Sequence, residues 1–426
     1  MTRRPCLAIT LGDPCGIGPE LLLASLEQLS RWAEVLVIGA QAGVDLLGSK
    51  ETQGVPKVQW RWGEPTRDRL AAGSGEGMAV NGLWTSPLPG LDAAPVSLGY
   101  ATWLDPTPDV TAEHLQLGVG SAVSGRCAVE AVRAAAELVR SGQADALVTL
   151  PLAKAAAHLA GYPIPGHTEF LQSLCGSPIS RMAFVSPRLS VVLDTVHQSL
   201  RSVVEGLSAD HVAETLIFSA DRFMQLTGKS GLRVALCALN PHAGEGGAFG
   251  HEETVLDQAL LKARAAFQGF DGTPGSAPFA QLPSPFGLDP APRGWSIFSG
   301  QEAATGAPGG LLAGPVFTGP LPSDTLFQRA ARDEFDLVVA LYHDQGLIPV
   351  KVLEPDRAVN LTLGLPYIRT SPDHGTAFDR AGHWSADATN FMEAAALAVR
   401  LAGRAKGEPW HASAAPREAP VPLPLA

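Results

Sequence analysis

Short apolar runs alternate with longer segments of helical periodicity along most of the chain, and that rhythm leaves few architectures open. Residues 6–11 read as a buried strand, followed by a Gly/Pro turn and an apolar-rich helical stretch, 20–29. Pro19 suits the first helical position, where its missing N–H costs nothing. A strand is expected at 34–39, an Ala-rich helix at 121–141 and a strand at 145–150. The alternation returns at 181–185, 190–194, 210–226, 232–239, 251–267, 323–332 and 336–341. Such a pattern predicts an α/β fold with a largely parallel sheet.

The length, 426 residues with 46% hydrophobic and 17% charged, suits about two domains and excludes a wholly disordered chain. Against 42 Asp and Glu stand 31 Lys and Arg, a formal net charge of −11. That balance argues against generic nucleic-acid binding, which works by neutralising phosphates, but is compatible with a local basic pocket for a small anion. The five cysteines (Cys6, Cys15, Cys127, Cys175, Cys237) form no CxxC pair and read as incidental thiols of a reducing cytoplasm. The apolar run after Arg3 and Arg4 stops at Gly12-Asp13-Pro14, too short for a signal segment. No stretch approaches the ~20 apolar residues of a membrane span, so neither nucleic acid nor membrane is expected as a partner. Two stretches break the rhythm: 52–108, with Trp60, Trp62, Trp84 and Trp103, and 268–310, rich in Gly, Pro, Ser and Ala, which reads as an insertion. The Pro-rich tail 407–426 is expected to lack regular structure.

Polar residues gather where the apolar strands end, which is where parallel α/β sheets place ligands. The strand at 190–194 leads to His197, that at 232–239 to Asn240-Pro241-His242, and that at 336–341 to Tyr342-His343. If the three strands are neighbours, three imidazoles converge, the donor set of a catalytic divalent-metal site with an open position. Each histidine taken alone is more often a hydrogen-bonded loop residue than a ligand. A second constellation, His167-Thr168 with Lys351, Asn360 and Arg369, could take an anion: Thr168 opens a helix, Arg369 offers a bidentate fork and Lys351 a point charge. Its plainer reading is a capping threonine and two surface cations. The Gly12–Glu20 segment is not GxGxxG and reads as a tight strand–helix turn.

Taken together these segments resemble the 4-hydroxythreonine-4-phosphate dehydrogenase family of vitamin B6 (pyridoxal phosphate) biosynthesis. The resemblance lies in TLGDPCGIGPE (10–20), PLAKAAAHLAGYPIPGHTEFL (151–171), DTVHQSL (194–200), LNPHAGEGGAFGHEE (239–253), GPLPSDTLF (319–327), YHDQGLIPVK (342–351) and VNLTLGLPYIRTSPDHGTAFDRAG (359–382). It implies an isocitrate/isopropylmalate-dehydrogenase-like fold of two α/β domains around a central cleft, assembled as a homodimer with the site near the interface. On this likeness residues 1–125 and 355–426 form a nucleotide-binding side, and 126–354 a metal, substrate and dimerisation domain. The metal ligands carry over onto His197, His242 and His343, and substrate contacts onto His167, Thr168, Lys351, Asn360 and Arg369. Asp324 and Lys351 take catalytic places, and His374, Gly375, Thr376 and Asp379 lie by the NAD adenosine. The chain departs from the family pattern at Cys15, at Pro372 and in the expanded stretches 52–108 and 268–310.

The activity so implied is NAD- or NADP-dependent oxidation of 4-phosphooxy-L-threonine at C3, assisted by one divalent metal: zinc foremost, with cobalt, magnesium or nickel as alternatives. The product, 2-amino-3-oxo-4-(phosphooxy)butanoate, loses CO2 to give 3-amino-2-oxopropyl phosphate. A related dehydrogenase acting on threonate or erythronate 4-phosphate is the nearest alternative, since Lys351, Asn360 and Arg369 do not separate an amine from a hydroxyl at C2, and a metal-dependent phosphohydrolase is the alternative from another reaction class.

Overall fold

In a computed structural model of the protein, which describes residues 4–48, 96–97, 101–270 and 313–405, the apolar run Cys6–Thr10 forms β1 with every residue buried. Burial on both faces is what a central parallel strand requires, and it explains the unbroken hydrophobic sequence. The first half of the chain adds β2 (Glu34–Ile38), β3 (Val96–Ser97), β4 (Thr102–Leu104) and β5 (Ala146–Thr149). The second half carries β6 (Arg181–Val185), β7 (Ser190–Leu193), β8 (Arg233–Cys237), β9 (Val316–Leu321), β10 (Leu337–Ala340) and β11 (Val359–Leu363), and then β12 (Ile368–Pro372). Residues 52–95, most of the expected insertion 268–310, and the tail 407–426 lie outside the described residues.

Two compact units result, 1–178 with 365–403 and 179–364. In the first, the strand order is β3-β4-β2-β1-β5-β12, parallel except at β3/β4. The helix Ala122–Arg140 packs on β1 and β5. It starts in a capping box: Ser121 accepts from the Ser124 N–H at 3.1 Å, and Ser124 accepts from the Ser121 N–H at 2.9 Å. This helix shows why the division falls at 178/179 and not at 125/126. A cut after residue 125 would sever a helix whose buried face covers β1 and β5, and would remove β5 from between its partners β1 and β12.

The second unit has the order β11-β6-β7-β10-β8-β9. The pairs β11/β6 and β6/β7 are antiparallel, and β7/β10, β10/β8 and β8/β9 are parallel. Val191, Leu193, Ala235, Val338, Ala340 and Leu347 are buried in its core, where each larger aliphatic chain contributes about 1.5–3 kcal/mol. The α/β class and the two α/β units are those expected. Among the described residues no helix is long and apolar enough to cross a membrane.

Candidate active site

In the second unit β7, β10 and β8 are adjacent and parallel, so their C-terminal ends lie side by side. His197 follows β7, His343 follows β10 and His242 follows β8, as the strand pattern required. The rings of His197 and His343 face one another with centroids 5.9 Å apart and a 39° tilt. A cavity of about 450 Å³ opens over them, lined also by Gln198, Tyr342 and Asp344. His343 Nδ1 lies 2.7 Å from Asp344 Oδ1. A carboxylate accepts there, which places the proton on Nδ1 and leaves the Nε2 lone pair for a ligand, the usual arrangement behind a metal-binding imidazole.

His242 stands apart, and the expectation of three converging imidazoles needs correcting. Among the described residues no three His, Cys, Asp or Glu side chains are grouped to hold one ion. The cause is the turn Pro241–Gly247, in which His242, Ala243, Gly244, Glu245 and Gly246 all have positive φ. Three of these carry a Cβ, and each costs about 1–2 kcal/mol in that conformation. The turn is held at its entry, where Asn240 donates from N to Glu253 Oε1 at 2.7 Å and from Nδ2 to Glu252 at 2.7 Å. Its ring packs edge-on to Phe249, 6.1 Å between centroids, with Nδ1 3.6 Å from Glu245.

Two imidazoles on one tetrahedral ion have centroids roughly 5 Å apart, given metal–nitrogen bonds of about 2.0–2.1 Å. His197 and His343 therefore fit a divalent ion in kind and, nearly, in spacing. Asp324 is exposed in the first turn of the helix Ser323–Ala330 that follows β9. Lys351 is exposed near the end of the helix His343–Leu353. Asn360 lies on β11 opposite Phe184 of β6, its Oδ1 buried without a hydrogen-bond partner among the described residues.

The first unit holds the other substrate candidates. Arg369, on β12 beside Leu147 of β5, is 2% exposed and donates from Nε and Nη2 to Thr149 Oγ1 at 3.1 and 2.6 Å. Burial lowers its pKa to about 10, so it stays cationic at neutral pH. His167 and the buried Thr168 begin the helix His167–Cys175, whose first N–H groups present a positive dipole end. Burial pushes the His167 pKa well below its ordinary value, and the charges of Arg369 and Lys154 add to the effect. The ring is neutral, and its buried Nε2 has no hydrogen-bond partner among the described residues. Lys154 was not singled out from the sequence. Its Nζ lies 3.7 Å from where a Cβ on Gly166 would sit. A lysine just after a strand-end Pro-Leu-Ala was the available signal. Two cations, a neutral imidazole and a helix N-terminus together suit an oxyanion.

The segment carrying His374, Gly375, Thr376 and Asp379 also belongs to this unit and lies against the turn after β1. Ile17 N donates to Thr376 O at 3.0 Å, and a Cβ on Gly16 would meet that oxygen at 2.8 Å. Gly12 is needed for a similar reason: at φ 72°, its Cβ would meet Pro151 O at 2.3 Å. Asp13 in this turn is fully buried and accepts from Cys15 N at 3.0 Å and Ser124 Oγ at 3.2 Å. Burial raises its pKa to about 6. Burial lowers the His374 pKa, and His374 Nε2 is buried with no partner among the described residues. Gly375 faces open space, so this segment can admit a ligand that hydrogen-bonds to it.

The family model for the pyridoxal phosphate biosynthetic protein PdxA matches residues 94–281 and 310–398. The chain belongs to the PdxA family. The family match passes over 282–309, within the stretch read as an insertion. A D-threonate 4-phosphate dehydrogenase from Cupriavidus necator is 35% identical over 94% of this chain and 98% of its own. A 4-hydroxythreonine-4-phosphate dehydrogenase from Desulfosudis oleivorans is 36% identical over 94% of this chain and 96% of its own. The crystal structure of 4-hydroxythreonine-4-phosphate dehydrogenase from Klebsiella pneumoniae superposes with a TM-score of 0.67 at 29% identity, covering 94% of this chain and 98% of that one. The protein is thus a PdxA-type dehydrogenase, an oxidoreductase.

Proposed function

We propose that this protein oxidises 4-phosphooxy-L-threonine at C3 with NAD or NADP and one divalent metal, in vitamin B6 biosynthesis. The keto acid formed, 2-amino-3-oxo-4-(phosphooxy)butanoate, loses CO2 to leave 3-amino-2-oxopropyl phosphate. The observation that carries the reading is the pairing of His197 and His343, whose rings meet 5.9 Å apart beyond the adjacent parallel strands β7 and β10. When bound, a divalent ion there supplies Lewis acidity at the C3 oxygen, and the nicotinamide accepts the hydride. His197 and His343 would hold that ion, and Asp344 fixes the tautomer of His343. Arg369, Lys154 and the N–H groups at Thr168 grip the phosphate. His167 gives or accepts a neutral hydrogen bond there without adding charge. Lys351 and Asn360 orient the carboxylate end, and Asp324 takes part in moving the hydroxyl proton. Remote phosphate binding is thereby converted into orientation of C3. His374, Gly375, Thr376 and Asp379 receive the adenosine of the dinucleotide.

A second reading has support of its own, since relatives at the same identity bear the name D-threonate 4-phosphate dehydrogenase. That substrate differs at C2, carrying hydroxyl in place of amine. Parallel assays of NADH formation with 4-phosphooxy-L-threonine, D-threonate 4-phosphate and D-erythronate 4-phosphate separate the readings. Dominant turnover of the first supports the proposal. Preference for a sugar-acid phosphate moves the enzyme to the second reading. Release of inorganic phosphate with no NADH from any of them removes both and brings forward a phosphohydrolase.

We further propose a homodimer with this site at the interface. Support comes from Leu200 and Val204, 61% and 45% exposed on one helix, and Ile348 and Val352, 62% and 75% exposed on the helix that begins at His343. Such i, i+4 apolar pairs left facing outward are the pattern of a helix awaiting a partner surface. A cytoplasmic location accords with the five cysteines, none of which forms a disulfide.

A further inference from the structure

We infer that Gln345 is a positioning residue that ties together the strand ends from which His343, His242 and Asp324 are delivered. Its side chain is 8% exposed and turns back over the start of the helix His343–Leu353. Oε1 accepts from Leu341 N at 2.7 Å, and Nε2 donates to Ala238 O at 2.8 Å and to Ser323 Oγ at 3.0 Å. The amide orientation is fixed by its partners, because a backbone N–H only donates and a carbonyl only accepts. Leu341 stands two residues before His343, Ala238 four before His242, and Ser323 one before Asp324. One amide therefore joins the ends of β10, β8 and the segment after β9.

Thr195 completes the set from β7. Its Oγ1 donates to Leu341 O at 2.7 Å, two residues before His197. Both backbone groups of Leu341, itself fully buried, are thus engaged by side chains, one from the helix that follows it and one from the segment after β7. Gly346 lets the helix start approach this close: a Cβ there would lie 2.7 Å from Leu193 Cδ2 and 2.9 Å from Val191 Cγ1. A shift of the β10 or the β8 end breaks a buried hydrogen bond to Gln345, and low local dielectric makes that costly. Neither Gln345 nor Thr195 is in the proposed ligand set. They act through the backbone that carries it.

The inference rests on the metal-dependent reading above, and the test separates the two. Full-length protein stripped of metal is titrated with zinc by calorimetry, which reads affinity and stoichiometry independently. Gln345→Glu keeps the size but sets a carboxylate against the Ala238 carbonyl. Thr195→Val keeps the shape and removes a single hydroxyl. Zinc affinity is expected to fall about tenfold in Gln345→Glu, the range for residues that support metal ligands, and less in Thr195→Val, with stoichiometry unchanged. Unchanged affinity in both variants, or a fall in stoichiometry alone, overturns the positioning role. If Gln345→Glu does not fold, Thr195→Val decides by the same criterion. Wild-type protein that takes up no zinc would overturn the metal reading itself, and the inference with it.

Discussion

The ring centroids of His197 and His343 stand 5.9 Å apart although the two residues enter from different strands, β7 and β10. Parallel pairing of Val338 with Val191 and of Ala340 with Leu193 sets that proximity. Replacing either ring removes a proposed donor without touching the core. His343→Ala is expected to weaken zinc binding at least a hundredfold, about the upper range for loss of a supporting partner, and to lower kcat in parallel. Asp344→Asn, which withdraws only the orienting carboxylate, is expected to cost about tenfold. Metal content by atomic emission and steady-state kinetics check both.

In the first unit the phosphate grip depends on charge. A hydrogen bond to a charged group is worth about 1.5–3 kcal/mol, roughly ten- to a hundredfold in binding. Lys154→Met and Arg369→Met are each expected to raise KM for the phosphorylated substrate by that factor. Inhibition by inorganic phosphate weakens in step. Arg369→Met is also expected to free the Thr149 hydroxyl, so its thermal stability is measured alongside.

Asp13 carries a pH signature. Its pKa is raised from 3.8 to about 6 by burial, so between those two pH values the folded state holds a proton that the unfolded state has released. Stability from this group is full below about pH 4 and declines as pH rises through 6. At neutral pH the penalty is of the order of 3 kcal/mol, since each pKa unit is worth about 1.4 kcal/mol. Asp13→Asn retains an acceptor for Cys15 N–H and carries no charge. Its melting temperature relative to wild type is expected to be higher at pH 7 than at pH 4. A difference that does not vary with pH contradicts the assignment.

Ile348 and Val352 offer a test of assembly. Ile348→Asp paired with Val352→Asp places two charges on the exposed helix face and is expected to convert a dimer to a monomer. Sedimentation equilibrium reads the mass directly. A monomeric wild type, or a dimer indifferent to both substitutions, removes the helix from the interface.

Much of the fold was legible because its strands are buried on both faces. Runs such as those forming β1, β5 and β10 carry at most a terminal threonine and nothing to confuse with a turn. Among the elements missed were β11, β12 and the helix His343–Leu353. Asn360 and Thr362 interrupt β11, and β12 buries Arg369 and Ser371, so neither reads as an apolar run. Gly346 and Pro349 inside the helix disguise its periodicity. All of these carry site residues, and chemistry displaces the local pattern there. That a histidine follows each of three strands was legible, while the adjacency of those strands is supplied by the sheet order. The position of His242 was not legible, because six successive positive φ angles, from His242 to Gly247, depend on the packing of Asn240 and Glu253, which spacing does not encode. Lys154 came to light only through its neighbours Gly166 and His167.

The central proposal is oxidation of a phosphorylated hydroxy acid with help from a histidine-held divalent ion. Its most direct test is NADH formation from 4-phosphooxy-L-threonine by chelator-stripped enzyme, followed as zinc or cobalt is added back. The proposed reaction requires turnover to be absent in the stripped protein and to rise with metal to saturation near one ion per chain. It also requires His197→Ala to remain inactive throughout. Full activity without added metal, or metal-restored activity in His197→Ala, would contradict it.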